Sequence, residues 1–140
     1  MIKQIRISDY TILSVSIGLV YLWFGVLKFF PGGSPAEKLA LDVINWLTLG
    51  LIPENISIVL LALWESLIGI FLIANIFRKP VLYLALIHMV CTFLPLFIFT
   101  ERSFTESPLS FTLVGQYIFK NIIIVSALFL LLKQQKIRTT

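Results

Sequence analysis

A carboxylate lies near the middle of one of the apolar stretches of this sequence. Glu65 falls inside a hydrophobic run that extends from Ile56 to Phe77, and this run of about 22 residues is long enough to cross a bilayer as one helix. At 1.5 Å per residue, Glu65 lies roughly 13 Å from the start of the run. An ionised group at that depth costs several kcal/mol unless it is paired. The pattern therefore predicts that Glu65 has a polar partner, faces water or is protonated.

Three other ionisable residues fall within or at the end of apolar stretches: Lys28, His88 and Lys120. Measured from the predicted outer ends of their helices, His88 lies about 16 Å deep and Lys120 about 13 Å deep, in the same layer as Glu65. Two interpretations of Glu65 are open: a structural ion pair with Lys120 that fixes the register of the helices, and a functional role. Lys28 lies within about a turn of its helix end, and we expect its ammonium to extend to the membrane surface, although its stem could also reach inward.

The charges of this predicted polar layer suggest what it could bind. Lys28, Lys120 and Glu65 leave an excess of roughly one positive charge if His88 is neutral. This excess favours an anion, a phosphate headgroup or an acceptor-rich molecule such as a quinone as the ligand. His88 is either a proton relay or a buried histidine hydrogen-bonded to a neighbour.

Other chemistries are disfavoured by composition. A single cysteine, Cys91, excludes a disulfide within the chain, and no Cys/His cluster with metal-ligand spacing occurs, so no metal site is expected. Haem between helices would need a second axial ligand, and Met89 is predicted to point away from the face of His88.

The net charge of +4 comes from basic residues clustered at a few chain positions. We interpret them as topology signals and expect no nucleic acid partner.

The chain itself has the composition of a membrane protein. It has 140 residues, of which 59% are hydrophobic, and a mean hydropathy of +0.99. The apolar stretches predict a single all-α domain of four transmembrane helices, at about residues 10–30, 56–77, 81–99 and 111–132. Residues 36–49 are too short and too charged to span, and their helical periodicity predicts an amphipathic helix. We place this helix at the membrane surface with Trp46 at headgroup level; a cap packed over the bundle remains an alternative.

The basic residues predict the orientation. Those at the predicted inner ends of the spans are Lys3, Arg6, Arg78, Lys79, Lys133, Lys136 and Arg138, whereas Lys38 and Arg102 lie on the other side. Both termini should therefore be cytoplasmic, in a membrane that we expect to be the bacterial inner (plasma) membrane. The opposite, outer face carries the acidic residues Glu37, Asp42, Glu54, Glu101 and Glu106. We expect a ligand to enter from this face.

Short motifs give the chain a resemblance to a known family. They are the Trp64-Glu65 pair, the Gly25-Val26-Leu27-Lys28 end of the first span and the run from Gly115 to Asn121, in a chain with four spans and an amphipathic insert. Together they resemble the DoxX-like family of small four-helix integral membrane proteins. That resemblance implies the four-helix fold. It also implies an association with quinone-linked sulfur or thiol oxidation, which such proteins carry out with partner subunits.

These observations lead to a functional hypothesis. We predict a membrane-embedded accessory subunit of a quinone-linked oxidoreductase system, with Glu65 and His88 as proton-relay groups. The predicted ligand contacts are Lys28, Tyr21, Trp64, Thr92, Gln116, Lys120 and Asn121. Two alternatives belong to other classes: a lipid-binding or partner-binding assembly protein without chemistry, and a small transporter of an anionic solute. The expected partners are the lipid bilayer and a protein subunit; a homo-oligomer and catalysis by this chain itself remain open.

Overall fold

The computed structural model describes residues 2–106 and 109–139, which form eight helices and no sheet. In chain order the helices are α1 (Ile2–Leu27), α2 (Glu37–Leu47), α3 (Glu54–Ala74), α4 (Arg78–Phe93), α5 (Pro95–Ile98), α6 (Thr100–Ser103), α7 (Leu113–Phe119) and α8 (Ile122–Thr139). The predicted all-α class is confirmed.

Four segments are long and apolar enough to cross a membrane: Tyr10–Leu27, Glu54–Ala74, Arg78–Ile98 and Leu113–Gln135. They correspond to the four predicted spans, so the four-helix membrane bundle is confirmed as well. Each of the last two segments is made of two consecutive helices: the third contains α4 and α5, and the fourth contains α7 and most of α8. Pro95 begins α5, and the single residue Leu94 separates it from α4. Because proline has no backbone N–H, the hydrogen bonding of α4 is interrupted at this position. Between α7 and α8, Asn121 N–H donates to the Ile118 carbonyl three residues earlier, which tightens the chain at the junction.

The first two spans end earlier than predicted because of local backbone geometry. The first span was predicted to reach residue 30, but α1 ends at Leu27, and the N–H groups of the next three residues bond to carbonyls three positions back. The second span was predicted to reach residue 77, but α3 ends at Ala74, followed by Asn75 in the left-handed region with φ of 59°. Asparagine tolerates that conformation better than most residues.

The antiparallel helices α1 and α3 form the closest helix pair of the bundle. A Cβ atom added at Gly69 would lie 2.5 Å from the Leu22 backbone nitrogen, and one added at Gly18 would lie 2.8 Å from the Gly69 carbonyl oxygen. Glycine at both positions lets the two backbones approach to a distance that a larger residue would prevent. This contact brings the C-terminal half of α1 against the middle of α3.

The core joins this pair to the third and fourth spans. Leu72 of α3, Leu82 and Ala85 of α4, and Leu128 and Leu131 of α8 are at most 2% exposed and belong to one cluster. Many other large apolar side chains of the spans point outward. In a bilayer those outward side chains face lipid.

Helix α2 packs over α3 and also exposes an apolar edge. The predicted segment 36–49 becomes a helix from Glu37 to Leu47, with Val43 buried against the bundle. Asp42 forms an ion pair with Arg102 of α6. Trp46 is 52% exposed. The helix thus has the bundle contact of a cap and retains the exposed tryptophan expected of a helix at the membrane surface.

Candidate functional site

Glu65 pairs with Lys28, and not with Lys120, which was the partner in the structural interpretation of the sequence. Lys28 Nζ lies 2.5 Å from Glu65 Oε2, and the two side chains are only 5% and 7% exposed. The ammonium also donates to the Phe24 carbonyl at 3.3 Å. The outward position predicted for Lys28 is therefore wrong. Gly25, on the same side of α1, contacts α3 so closely that an added Cβ would lie 3.0 Å from Glu65 Cβ, which places the base of the lysine within reach of the carboxylate.

Lys120 takes no part in this pair, so the structural interpretation that paired it with Glu65 is wrong. Its side chain is exposed at the junction of α7 and α8, with Nζ 4.0 Å from the centroid of the Tyr117 ring. The depth estimate had assumed one continuous helix through this region. At this junction the Asn121 and Ile123 N–H groups bond to carbonyls three residues earlier, so the helix is locally tightened there.

His88 extends the ion pair into a connected network. Its Nε2 lies 3.2 Å from Glu65 Oε1, and its Nδ1 lies 3.2 Å from the Tyr21 hydroxyl. That hydroxyl is also 3.1 Å from the Ala85 carbonyl oxygen. We call Lys28, Glu65, His88 and Tyr21 the buried network. Both carboxylate oxygens of Glu65 are engaged, one by each neighbour.

The position of the Tyr21 hydroxyl allows two proton arrangements. If its O–H donates to His88 Nδ1, the imidazole is neutral and its Nε2–H donates to Glu65. If the O–H instead donates to the Ala85 carbonyl, the Tyr21 oxygen is free to accept from a protonated Nδ1. The second arrangement holds one more proton, and in it the Tyr21 O–H has rotated from His88 Nδ1 to the Ala85 carbonyl. The buried network can therefore take up a proton without movement of its heavy atoms.

The Ala85 carbonyl is a member of the site that sequence reasoning had not assigned. Ala85 precedes His88 by three residues, so the two lie on the same face of α4. Its side chain is fully buried, which lets Tyr21 approach the backbone. The helical spacing was visible in the sequence. The use of a main-chain oxygen as the second acceptor for Tyr21 was not.

Of the other predicted ligand contacts, Tyr21 belongs to the buried network, whereas Trp64, Thr92, Gln116 and Asn121 have no described contact with it. Trp64 is 39% exposed, on the side of α3 that points away from the bundle. The Thr92 hydroxyl donates to the Met89 carbonyl at 2.7 Å. Gln116 is exposed and donates to the Phe111 carbonyl. Asn121 lies at the junction of α7 and α8.

Two surface clefts lie away from the buried network. The first, of about 420 Å³, is lined by Gly32, Ser34, Pro35, Glu37, Lys38, Leu41, Asp42 and Glu54; we call it the outer cleft, because it lies on the face that the sequence predicts to be the outer one. The second, of about 290 Å³, is an apolar groove between α4 and α8, lined by Tyr83, Leu86, Ile87, Val90, Phe93, Val125 and Phe129. Within residues 2–106 and 109–139, no three His, Cys, Asp or Glu side chains converge as a metal site.

The comparisons with known proteins were negative. No protein-family model, curated protein or solved structure matches this chain. The resemblance to DoxX-like proteins therefore stays a prediction, and the function has to be argued from the buried network.

Proposed function

We propose that this protein is an integral membrane accessory subunit of a quinone-linked oxidoreductase system, in which the buried network accepts and returns a proton. The observation that carries this proposal is the Tyr21 hydroxyl, placed between His88 Nδ1 at 3.2 Å and the Ala85 carbonyl at 3.1 Å. A group with two acceptors can change its donor direction as the imidazole changes its protonation state. Proton transfer by a positioned histidine is a common form of acid–base chemistry in proteins.

The membrane environment favours a quinone as the reacting molecule. Oxidation of a quinol releases two electrons and two protons. In our proposal the electrons pass to an acceptor in a partner subunit, one proton goes to His88 Nδ1, and the second leaves to the aqueous phase. The His88 side chain is 11% exposed, compared with 5% for Lys28 and 7% for Glu65. His88 is thus the member of the ion-paired group that a ligand can approach most easily. The resemblance to DoxX-like proteins agrees with this assignment.

A second candidate function is supported by a different observation. Both oxygens of Glu65 are paired, and neither described cleft is lined by a member of the buried network. A saturated polar cluster of this kind could serve to fix the register of α1, α3 and α4 in an assembly protein without chemistry. The two functions differ in whether the proton content of His88 changes.

The proton content can be measured because His88 is the only histidine of the chain. We expect nitrogen NMR of ¹⁵N-histidine-labelled protein in nanodiscs to show Nδ1 gaining a proton when a short-chain quinol and an electron acceptor are supplied together. In Tyr21→Phe the protonated Nδ1 loses its acceptor, and hydrogen bonds from a charged donor are the stronger ones. The proton gain should therefore be smaller in this variant.

The same labelled sample tests the ligand. Addition of a short-chain quinone should shift both His88 nitrogen signals, whereas a saturated alcohol of equal chain length serves as the control and should leave them in place. An Nδ1 signal that responds neither to the quinone nor to the quinol with its electron acceptor would reject the redox proposal. It would leave the assembly function as the better account.

We further propose that both termini face the cytoplasm of a bacterial cell and that the protein lies in its inner membrane. The support is the excess of basic residues at one end of the four spans. In a Cys91→Ser background, we expect Lys38→Cys to react with a membrane-impermeant maleimide on intact cells. Lys133→Cys should react only after the cells are permeabilised. The reverse labelling pattern would invert the proposed orientation.

A further inference from the structure

The outer cleft has an excess of negative charge. Three carboxylates line it, from Glu37, Asp42 and Glu54, together with one ammonium, from Lys38. Asp42 is neutralised by its ion pair with Arg102. Glu37 Oε2 accepts the Gly32 N–H at 3.0 Å, which leaves its charge uncompensated. Within the described part of the chain, Glu54 and Lys38 have no ion-pair partner.

The wall of the outer cleft also contains a hydroxyl without a partner. Ser34 lines the cleft and is 4% exposed, and its Oγ has no hydrogen-bond partner among the described residues. A buried hydroxyl left without a hydrogen bond costs about 1–3 kcal/mol. This serine is independent of the carboxylates, and its oxygen can accept a hydrogen bond. The cleft therefore combines negative charge with an unused acceptor.

We propose that the outer cleft binds a primary ammonium group, supplied by an amine-bearing lipid headgroup or by a soluble amine. Glu54 and Glu37 provide the negative charge, and Ser34 accepts a hydrogen bond from the ammonium. Lys38 lies at the same cleft, where it can pair with a phosphate next to the amine. This site is separate from the buried network and does not depend on the proposed redox function.

The chemistry of the lining selects a primary ammonium over other cations. A metal ion needs converging ligands, and the described residues offer no group of three acidic, histidine or cysteine side chains that could hold one. A quaternary ammonium cannot donate hydrogen bonds and is usually bound by aromatic side chains, whereas none of the eight lining residues is aromatic. A primary ammonium has three N–H donors for carboxylate and hydroxyl oxygens.

The place of the cleft in the fold favours a lipid as the source. Glu54 is the first residue of α3, which spans the membrane, and Lys38 lies in α2, whose Trp46 is exposed. Both positions are expected at the level of the headgroups. A volume of about 420 Å³ lies within the range of small-molecule sites. An ethanolamine phosphate headgroup supplies both charges in the required order, with the ammonium at its free end.

The test is competitive lipid retention measured by native mass spectrometry in mild detergent. The purified full-length protein is mixed with equal amounts of phosphatidylethanolamine and phosphatidylcholine that carry identical acyl chains. We expect the ethanolamine lipid to be retained about tenfold more, since one hydrogen bond to a charged group has an effect of that order. The preference should fall to about twofold or less in Glu54→Gln and in Ser34→Ala. Glu101→Gln, which removes an exposed carboxylate outside the cleft, is the matched control and should keep the full preference.

Equal retention of the two lipids by the wild-type protein would overturn the proposal. So would a preference that survives in both Glu54→Gln and Ser34→Ala. Free ethanolamine and glycerophosphoethanolamine distinguish the sources of the ammonium. If these soluble compounds bind with the same dependence on Glu54 and displace the lipid, the cleft takes its amine from water. If only the intact lipid binds, the source is the membrane.

Discussion

Replacing Glu65 with glutamine is expected to lower the free energy of unfolding by about 3–5 kcal/mol. The change keeps the size of the side chain but removes the negative charge that neutralises Lys28. The ammonium would then remain buried, at 5% exposure, with the Phe24 carbonyl as its described acceptor. His88 would also lose the carboxylate that accepts from its Nε2. Equilibrium unfolding in mixed detergent micelles provides the measurement.

A double variant shows whether the lost stability comes from the broken ion pair or from the changed shape of the side chains. Lys28→Met combined with Glu65→Gln removes both charges, so we expect it to recover at least half of the stability lost in Glu65→Gln. The matched control is Asp42→Asn, which breaks the ion pair with Arg102. These side chains are 30% and 48% exposed, and a pair of this kind contributes about 1 kcal/mol or less. Losses that simply add in the double variant would contradict a direct interaction between Lys28 and Glu65.

The double variant also distinguishes the two candidate functions. Without Glu65 the Nε2 of His88 has no charged acceptor, so a redox role should be lost even where the fold is restored. An assembly role should survive in the same protein, because both helices would still pack. Stability and the response to the quinone would therefore be measured on the same sample. Restored stability with no response to the quinone is expected under the redox hypothesis, whereas restored stability with an intact assembly role is expected under the other.

Replacing Gly69 with alanine is expected to lower the stability of the protein. The added methyl group would lie 2.5 Å from the Leu22 nitrogen and 2.7 Å from the Gly18 oxygen, both of which are backbone atoms. Neither can move without separating α1 from α3. Overpacking of this kind costs about 1–3 kcal/mol. The separation should also weaken the Lys28–Glu65 contact, because these residues lie on the same two helices.

Ile70→Ala is the control for this prediction. Ile70 is the next residue on α3 and is 46% exposed on the outer side of the bundle, where it would face lipid. We expect its truncation to change stability by less than about 0.5 kcal/mol. Both variants would be measured by the same micellar unfolding. Equal stability of Gly69→Ala and Ile70→Ala would contradict the close approach of α1 and α3.

The spans could be predicted because they follow from one-dimensional properties of the chain. A charged residue such as Glu65 inside an apolar stretch must be paired, protonated or hydrated, whatever the fold. The amphipathic helix around Val43 and Trp46 could also be predicted, since helical periodicity is visible in the sequence. The junction at Lys120 was not visible, because neither proline nor glycine occurs next to it.

The partner of Glu65 depended on which helix faces meet. Lys28 and Lys120 were both candidates by charge, and hydropathy favoured Lys120 because it lay deeper in its predicted span. The close approach of α1 and α3 at Gly18, Gly25 and Gly69 directs Lys28 inward, while the turn between α7 and α8 leaves Lys120 exposed. Composition and periodicity are thus enough to assign the membrane class, the number of spans and the need for a buried partner. The choice of that partner required the helix packing, because depth is a property of a single helix whereas a contact depends on the crossing and rotation of two.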